Sequence, residues 1–350
     1  MCISFHYRFE IIYIIVSTIT YGLKETSKTI LQNRHKEYKK NISYLTGLIK
    51  YFAIISMIIF YFIKKKFHGE KTENPKKIKA TLLIICICIY FSVYLFINEI
   101  QKSFKNNFDG AKIFTFFSFS FIYTDLLFFL KENLNHYIFT FNIFLINIII
   151  VVIYSLFTNK NKLLVILYLI LLLIKSQACA FANLLFEYIN RNYLLDMYFL
   201  IIFEGIPKFI FVIIIIFLKN IKMNFGIFNK LDYLILFIHY LTIFLYTYTK
   251  CKIFEKLRAI HFILVLSIFE ILFPLFHLDF KFNIIDLIIG FISFFGCLIY
   301  CEIIILNFYG LDKYTYIRTS KRGENELLLL NKSINSSSIS NTNIDVTLEL

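Results

Sequence analysis

The stretch Leu163–Ile189, LLVILYLILLLIKSQACAFANLLFEYI, runs through twelve residues without a charge before it meets Lys175, then continues apolar and small-residue-rich to Glu187. A helix needs about 20 mostly apolar residues to cross a hydrocarbon core roughly 30 Å thick. The stretch therefore predicts a membrane span. Nine more of similar character surround it: Phe9–Leu23, Ser43–Ile63, Lys79–Ile100, Ala111–Leu130, Tyr137–Phe157, Leu194–Leu218, Leu231–Tyr248, Leu257–Phe276 and Asn283–Leu306.

Composition excludes a soluble domain. Of 350 residues 59% are hydrophobic and 17% charged, against about 25% charged in ordinary soluble domains, and the mean hydropathy is +0.70. The expected organisation is an all-α polytopic domain over residues 1–308, with a polar tail over 309–350. The formal charge of +14 would suggest nucleic acid in a soluble protein. Here the basic residues sit mainly in short loops between apolar runs, where they act as topology signals, so no nucleic-acid partner is expected. A modest excess of Lys and Arg on the face carrying both termini, with Lys64–Lys66 and the Arg318, Lys321, Arg322 cluster as its strongest elements, predicts that both ends are cytosolic.

Five cysteines, Cys86, Cys88, Cys179, Cys297 and Cys301, fall inside apolar spans, with no C-x-x-C and no His pair at ligand spacing. They read as packing residues, and neither a metal nor a cofactor is expected. No Walker, kinase or H-E-x-x-H motif occurs, so the chain is not read as an enzyme or an ATP-driven pump.

An internal repeat sets the architecture. Ser120–Phe139, SFIYTDLLFFLKENLNHYIF, aligns without gaps on Ser267–Asp286, SIFEILFPLFHLDFKFNIID. Each begins a span with serine, places an acid three to five residues on (Asp125; Glu270), and presents another at the twelfth offset (Glu132; Asp279). The same shift carries the second, third and fifth spans to within a few residues of the seventh, eighth and tenth. Ten transmembrane helices as a 5+5 repeat, divided near residue 160, put an odd number of spans in each half. The halves are then inverted relative to one another, as in carriers that expose one central site to either side.

The hairpin acids Glu132 and Asp279, and the closing span Gly290-Phe-Ile-Ser-Phe-Phe-Gly296-Cys-Leu-Ile-Tyr300, resemble the drug/metabolite transporter superfamily in its solute-carrier-35-like branch. Ser176-Gln177-Ala178 through Asn183 to Glu187, with Phe203-Glu204-Gly205, is similar to the sixth and seventh spans of subfamily F. Ser176 stands where that pattern has Ala, and Asn183 where it has Gln. The resemblance implies that the first and sixth spans line a central cavity and that the fifth and tenth provide a homodimer contact.

An ionisable group near the bilayer centre costs about 2.5 to 3.5 kcal/mol, so each needs a partner or a wet cavity. Lys175 is the clearest case, with Glu187, Asp125 or Glu270 as candidate partners. Asn183 and Glu187, four apart, share a helix face, whereas Lys175 and Gln177 lie about 200° apart. Lys175, Gln177, Asn183, Glu187 and Tyr123 are the expected substrate-binding residues. Asp125 and Glu270, with the Glu204–Lys208 pair beside Gly205 and Pro207, are expected in proton coupling or gating. Glu204 and Lys208 can pair within a helix, and Pro207 predicts a bend there. His239, Tyr240 and His261 could add hydrogen bonds or stacking.

The N-terminal run predicts an uncleaved signal anchor rather than a cleaved peptide. Within the tail, Asn331–Asn341 has the composition of disorder, and Glu324-Asn-Glu-Leu-Leu328-Leu329 resembles an acidic dileucine sorting signal, which points to an endomembrane such as a vacuole, lysosome or Golgi. The expected function is a secondary transporter for a small organic metabolite. In-span acids outnumber in-span lysines in this reading, which sets nucleotide-sugar exchange behind proton-coupled or cation transport. The rival is a non-transporting membrane interaction protein.

Overall fold

The computed structural model describes residues 2–3, 11–68, 77–103, 110–129, 135–158, 161–193, 195–221, 225–266, 268, 284–301 and 303–305. Six helical segments among them are long and apolar enough to cross a membrane: Lys36–Lys66, Lys79–Gln101, Tyr137–Thr158, Lys162–Tyr193, Met197–Leu218 and Lys230–Lys256. The chain is a helical, multi-pass membrane protein.

In chain order the helices are α1 (Ile11–Arg34), α2 (Lys39–Ile55), α3 (Ile58–His68), α4 (Lys77–Ser103), α5 (Gly110–Thr124, continued by a π-helical turn Asp125–Phe129), α6 (Asn135–Thr158), α7 (Lys162–Tyr193), α8 (Met197–Leu200), α9 (Ile202–Leu218), α10 (Lys230–Lys256) and α11 (Ile284–Tyr300). Residues 262–266 are helical where the ninth apolar stretch begins. The remainder of that stretch with Glu270 and Asp279, the hairpin acid Glu132, and the tail with its dileucine lie outside the described residues. A two-residue antiparallel pairing joins Cys2–Ile3 to Ile304–Ile305.

One expectation is corrected. The first apolar run ends at Leu23, yet α1 continues to Arg34, because Lys24 and Ser27 on its inward face are buried in the bundle rather than exposed at an interface. Within the seventh span a turn at Ile201 separates α8 from α9, and α9 continues through Pro207. Asp196 starts α8 by accepting a hydrogen bond from the Tyr198 amide at 2.8 Å. Pro207 has no N–H for the Phe203 carbonyl four residues back, and the Cys88 thiol donates to that oxygen at 3.8 Å instead.

Helix α1 packs along α10 and α4 along α7; α2 lies on α9, with α10 against α2 and α4 against α9. Around this centre α5 packs on α7, and α11 on α5 and α6. The outer faces carry exposed isoleucine, leucine and phenylalanine, such as Ile146, Ile149 and Ile153 on α6 and Ile210, Ile214 and Phe217 on α9. Water would not tolerate so large an apolar surface, and lipid covers it. Inside, a polar seam joins the outer helices: Asn147 donates to Ser293 Oγ at 2.8 Å and to the Ile289 carbonyl at 3.2 Å, and Thr115 and Ser293 share a hydrogen bond of 3.1 Å. Such side-chain bonds and small-residue contacts hold helices together where no hydrophobic drive exists between them. Gly296 meets the Phe144 ring, so the fifth and tenth spans contact each other within one chain.

Gly205 packs closely against α2. A β-carbon there would sit 3.0 Å from both Ile54 Cγ2 and Ile55 Cγ1 of α2. Gly205→Val is expected to cost about 1–3 kcal/mol by overpacking, seen as a lowered unfolding temperature in detergent and partly restored by Ile54→Ala.

Candidate functional site

Seven helices converge on a cavity of about 330 Å³. Helix α7 presents Leu172, Lys175, Ser176, Cys179 and Asn183, spaced so that they fall on one face. Helix α10 contributes Ile243, Tyr246, Thr247 and Lys250 at the same kind of spacing, and α1 contributes Tyr21, Lys24 and Glu25. Lys50 and Ile54 come from α2, Tyr94 from α4, Phe117 from α5, Glu204 and Lys208 from α9, and Phe262 from the helical segment 262–266.

The charge in this cavity is organised around Glu204. One carboxylate oxygen accepts from Lys208 Nζ at 2.7 Å and the other from Lys250 Nζ at 2.6 Å, and all three residues are buried. The i, i+4 pair expected within α9 is present, and a second helix, α10, joins it through Lys250. At these distances and an effective dielectric near 20 each contact is worth several kcal/mol of Coulomb energy, largely offset by the desolvation of three ions. Aromatic faces add to the solvation of the ammonium groups: Lys208 Nζ lies 4.0 Å from the Phe91 ring centre and Lys250 Nζ 5.2 Å from that of Phe262. On α1, Lys24 pairs with Glu25 at 3.0 Å and rests 3.7 Å from the Tyr21 ring centre.

Lys175 donates to the side-chain carbonyls of Asn98 at 2.9 Å and Gln101 at 3.1 Å, both on α4. Two of the acids expected as its partners, Asp125 and Glu187, are engaged elsewhere, and the third, Glu270, lies outside the described residues. Asp125, fully buried, receives Arg258 Nη2 on both oxygens at 2.7 and 2.8 Å and the Tyr300 hydroxyl at 2.7 Å. Glu187 accepts from the Ala259 amide at 2.7 Å and pairs with Arg191 at 3.0 Å. Arg191 also donates to the Leu257 carbonyl at 2.7 Å. This cluster ties the ends of α5, α7 and α11 to the turn that follows α10.

A second cluster lies at the opposite end of α10, which at 27 residues is about 40 Å long. Asp232, fully buried, caps the helix reciprocally with Asn229 through two hydrogen bonds of 3.0 Å. It also binds Arg34 Nε at 2.7 Å and His35 Nε2 at 3.0 Å. Glu99 of α4 accepts from Lys219, just past α9, at 2.9 Å and is approached by the Tyr44 hydroxyl; its hydrogen bond raises the Lys219 ammonium pKa above the ordinary lysine value. The cavity residues of α10 lie between the two clusters.

Of the residues singled out from sequence, Lys175, Asn183, Glu204 and Lys208 line the cavity. Gln177 turns away and donates to Thr124, as its angular separation from Lys175 requires. Tyr123 is 39% exposed and stacks with Phe119 and Phe141 on the outer surface. Glu187 sits one turn beyond Asn183 on the same face of α7, past the cavity and in the ionic cluster. His239 bonds Ser27 at 2.9 Å and His261 accepts from the Arg258 amide at 3.2 Å. Lys24, Glu25, Lys50, Lys250 and Arg258 were not among the expected site residues. Among the described lining residues five lysines face two acids, while Asp125 and Glu187 are bound by arginines away from the cavity. Two lining atoms, Ser176 Oγ and Asn183 Oδ1, are buried without a hydrogen-bond partner among the described residues; a buried polar atom left this way is costly unless something enters to meet it.

No protein-family model matches the chain, and no curated protein shows a sequence match to it.

Removing one member of a buried ion pair leaves an uncompensated charge and costs about 3–5 kcal/mol. Arg258→Ala is therefore expected to lower the unfolding temperature in detergent strongly, and the double variant Arg258→Ala with Asp125→Ala to recover part of the loss. Equal losses in the two proteins would show that Asp125 is not held chiefly by Arg258.

Proposed function

We propose that the chain is a secondary transporter that moves a small organic metabolite across an intracellular membrane by alternating access, without ATP hydrolysis. The observation that carries this reading is a charged cavity enclosed by membrane helices midway between two ionic clusters some 40 Å apart.

The packing pattern supports a 5+5 inverted repeat. Shifting the first half onto the second takes α1 to α7, α2 to α9, α4 to α10 and α6 to α11. The α1–α10 pairing then becomes α7–α4, and α2–α10 becomes α9–α4, while α2–α9 and α6–α11 map onto themselves. Each of these pairings occurs. Two halves related in this way can exchange conformations, which turns a site open to one side into a site open to the other. In this reading the Asp125–Arg258–Glu187 cluster closes one end and the Asp232–Arg34–His35 cluster the other, and one loosens as the cavity opens towards it. Asp125 acts as a gate residue, while Glu204 and Lys208 belong to the substrate cavity. Membership of the drug/metabolite transporter superfamily, cytosolic termini and an endomembrane location accord with this function.

Purified protein reconstituted into liposomes loaded with a metabolite extract tests the proposal by mass spectrometry of what leaves. Saturable loss of particular metabolites, at least tenfold slower for Lys175→Ala, is expected. No selective flux from protein that remains monodisperse and unfolds cooperatively would favour an interaction protein instead.

A further inference from the structure

We infer that the cavity binds a small organic anion carrying at least two negative charges, an inference that rests on the transporter reading for its physiological meaning but not for its chemistry. Five lysines, Lys24, Lys50, Lys175, Lys208 and Lys250, face two glutamates, Glu25 and Glu204, across the lining. A concave, low-dielectric wall with an excess of one sign focuses its field into the cavity and concentrates counter-ions there.

Glu204 shows how an anion is held. Its two oxygens each take one ammonium, from Lys208 at 2.7 Å and Lys250 at 2.6 Å, which is the arrangement that a carboxylate or phosphate of a ligand would also satisfy. Glu204 is thus the resident competitor: it neutralises the two lysines while the cavity is empty and yields one or both to an incoming oxyanion. Lys50 makes a ring contact at 5.5 Å to Tyr51 and, among the described residues, holds no carboxylate within ion-pair distance, so it can turn to a second negative group. The unpartnered Ser176 hydroxyl and Asn183 carbonyl ask for an acceptor and a donor, as a hydroxylated ligand has. The rings of Tyr94, Tyr246 and Phe262 close the walls against its carbon skeleton. A volume of about 330 Å³ lies at the small end of ligand pockets and limits the ligand to metabolite size.

Two polyanions separate the possible sources of charge. Fructose 1,6-bisphosphate and citrate, with fructose and spermidine as neutral and cationic controls, are each titrated into the detergent-solubilised full chain while ligand-induced stabilisation and binding heat are followed. At least one polyanion is expected to bind, phosphate or carboxylate being identified by which one does, and both controls to be silent. Lys50→Gln, which breaks no ion pair among the described residues, is expected to weaken that binding at least tenfold. Glu204→Gln is expected to tighten it at least threefold, since the competitor is neutralised. Binding of spermidine or fructose without either polyanion, or polyanion binding unchanged in both variants, overturns the assignment. Selective flux of a neutral or cationic solute would then leave the transporter standing without it, whereas polyanion binding at this site without flux would leave the site standing without the transporter.

Discussion

An ammonium group inside a bilayer must find an opposite charge, an aromatic face or water, and five lysines face one cavity in the middle of this bundle. The arrangement of the central helices follows from that requirement. Glu204 can serve Lys208 from within α9, but reaching Lys250 needs α10 to lie alongside, and α10 in turn holds α1 through the Ser27–His239 bond. Phe91 and Tyr94 of α4 lie against Lys208 from the other side. The close approach of α2 and α9 at Gly205 brings Lys50 and Ile54 to the same space. The cavity is polar because these groups cannot all be satisfied by one another.

The two ends of α10 solve a different problem. Irregular backbone between spans exposes carbonyl and amide groups, and here they are bound by charged side chains: the Leu257 carbonyl and Ala259 amide by Arg191 and Glu187, the start of α10 by Asn229 and Asp232. Each cluster recruits residues from several helices, so each fastens one end of the bundle. Neither Asp125 nor Asp232 lines the cavity. In the transporter we propose, this separation lets the exits exchange while the site persists.

Much of this was legible in the sequence, for reasons that are physical. A helix in lipid must satisfy its own backbone, so apolar length alone located the helices at nine of the ten stretches and the start of one at the tenth. Lys175 stood out because a lone cation in an apolar run is expensive, and Asn183 and the Glu204–Lys208 pair through helical spacing and resemblance. What hydropathy could not see were charges neutralised by distant partners. Lys24 and Glu25 look like the end of a span and Lys250 looks like part of a loop, yet each lies well inside a helix, facing the cavity. Arg258 was hidden for the same reason, since its partners Asp125 and Glu187 lie on other helices far away in the chain. Counting acids against lysines within the apolar runs therefore left Lys24 and Lys250 out.

In the transporter we propose, the cavity is reached from opposite faces under the control of the two ionic clusters. Cys179 lines the cavity, and its labelling by a membrane-impermeant thiol reagent, in oriented vesicles with the other cysteines replaced by serine, measures this directly. Asp125→Asn is expected to make Cys179 more reactive from one face and Asp232→Asn more reactive from the other. Reactivity from the same face in both variants, or from neither, would contradict it.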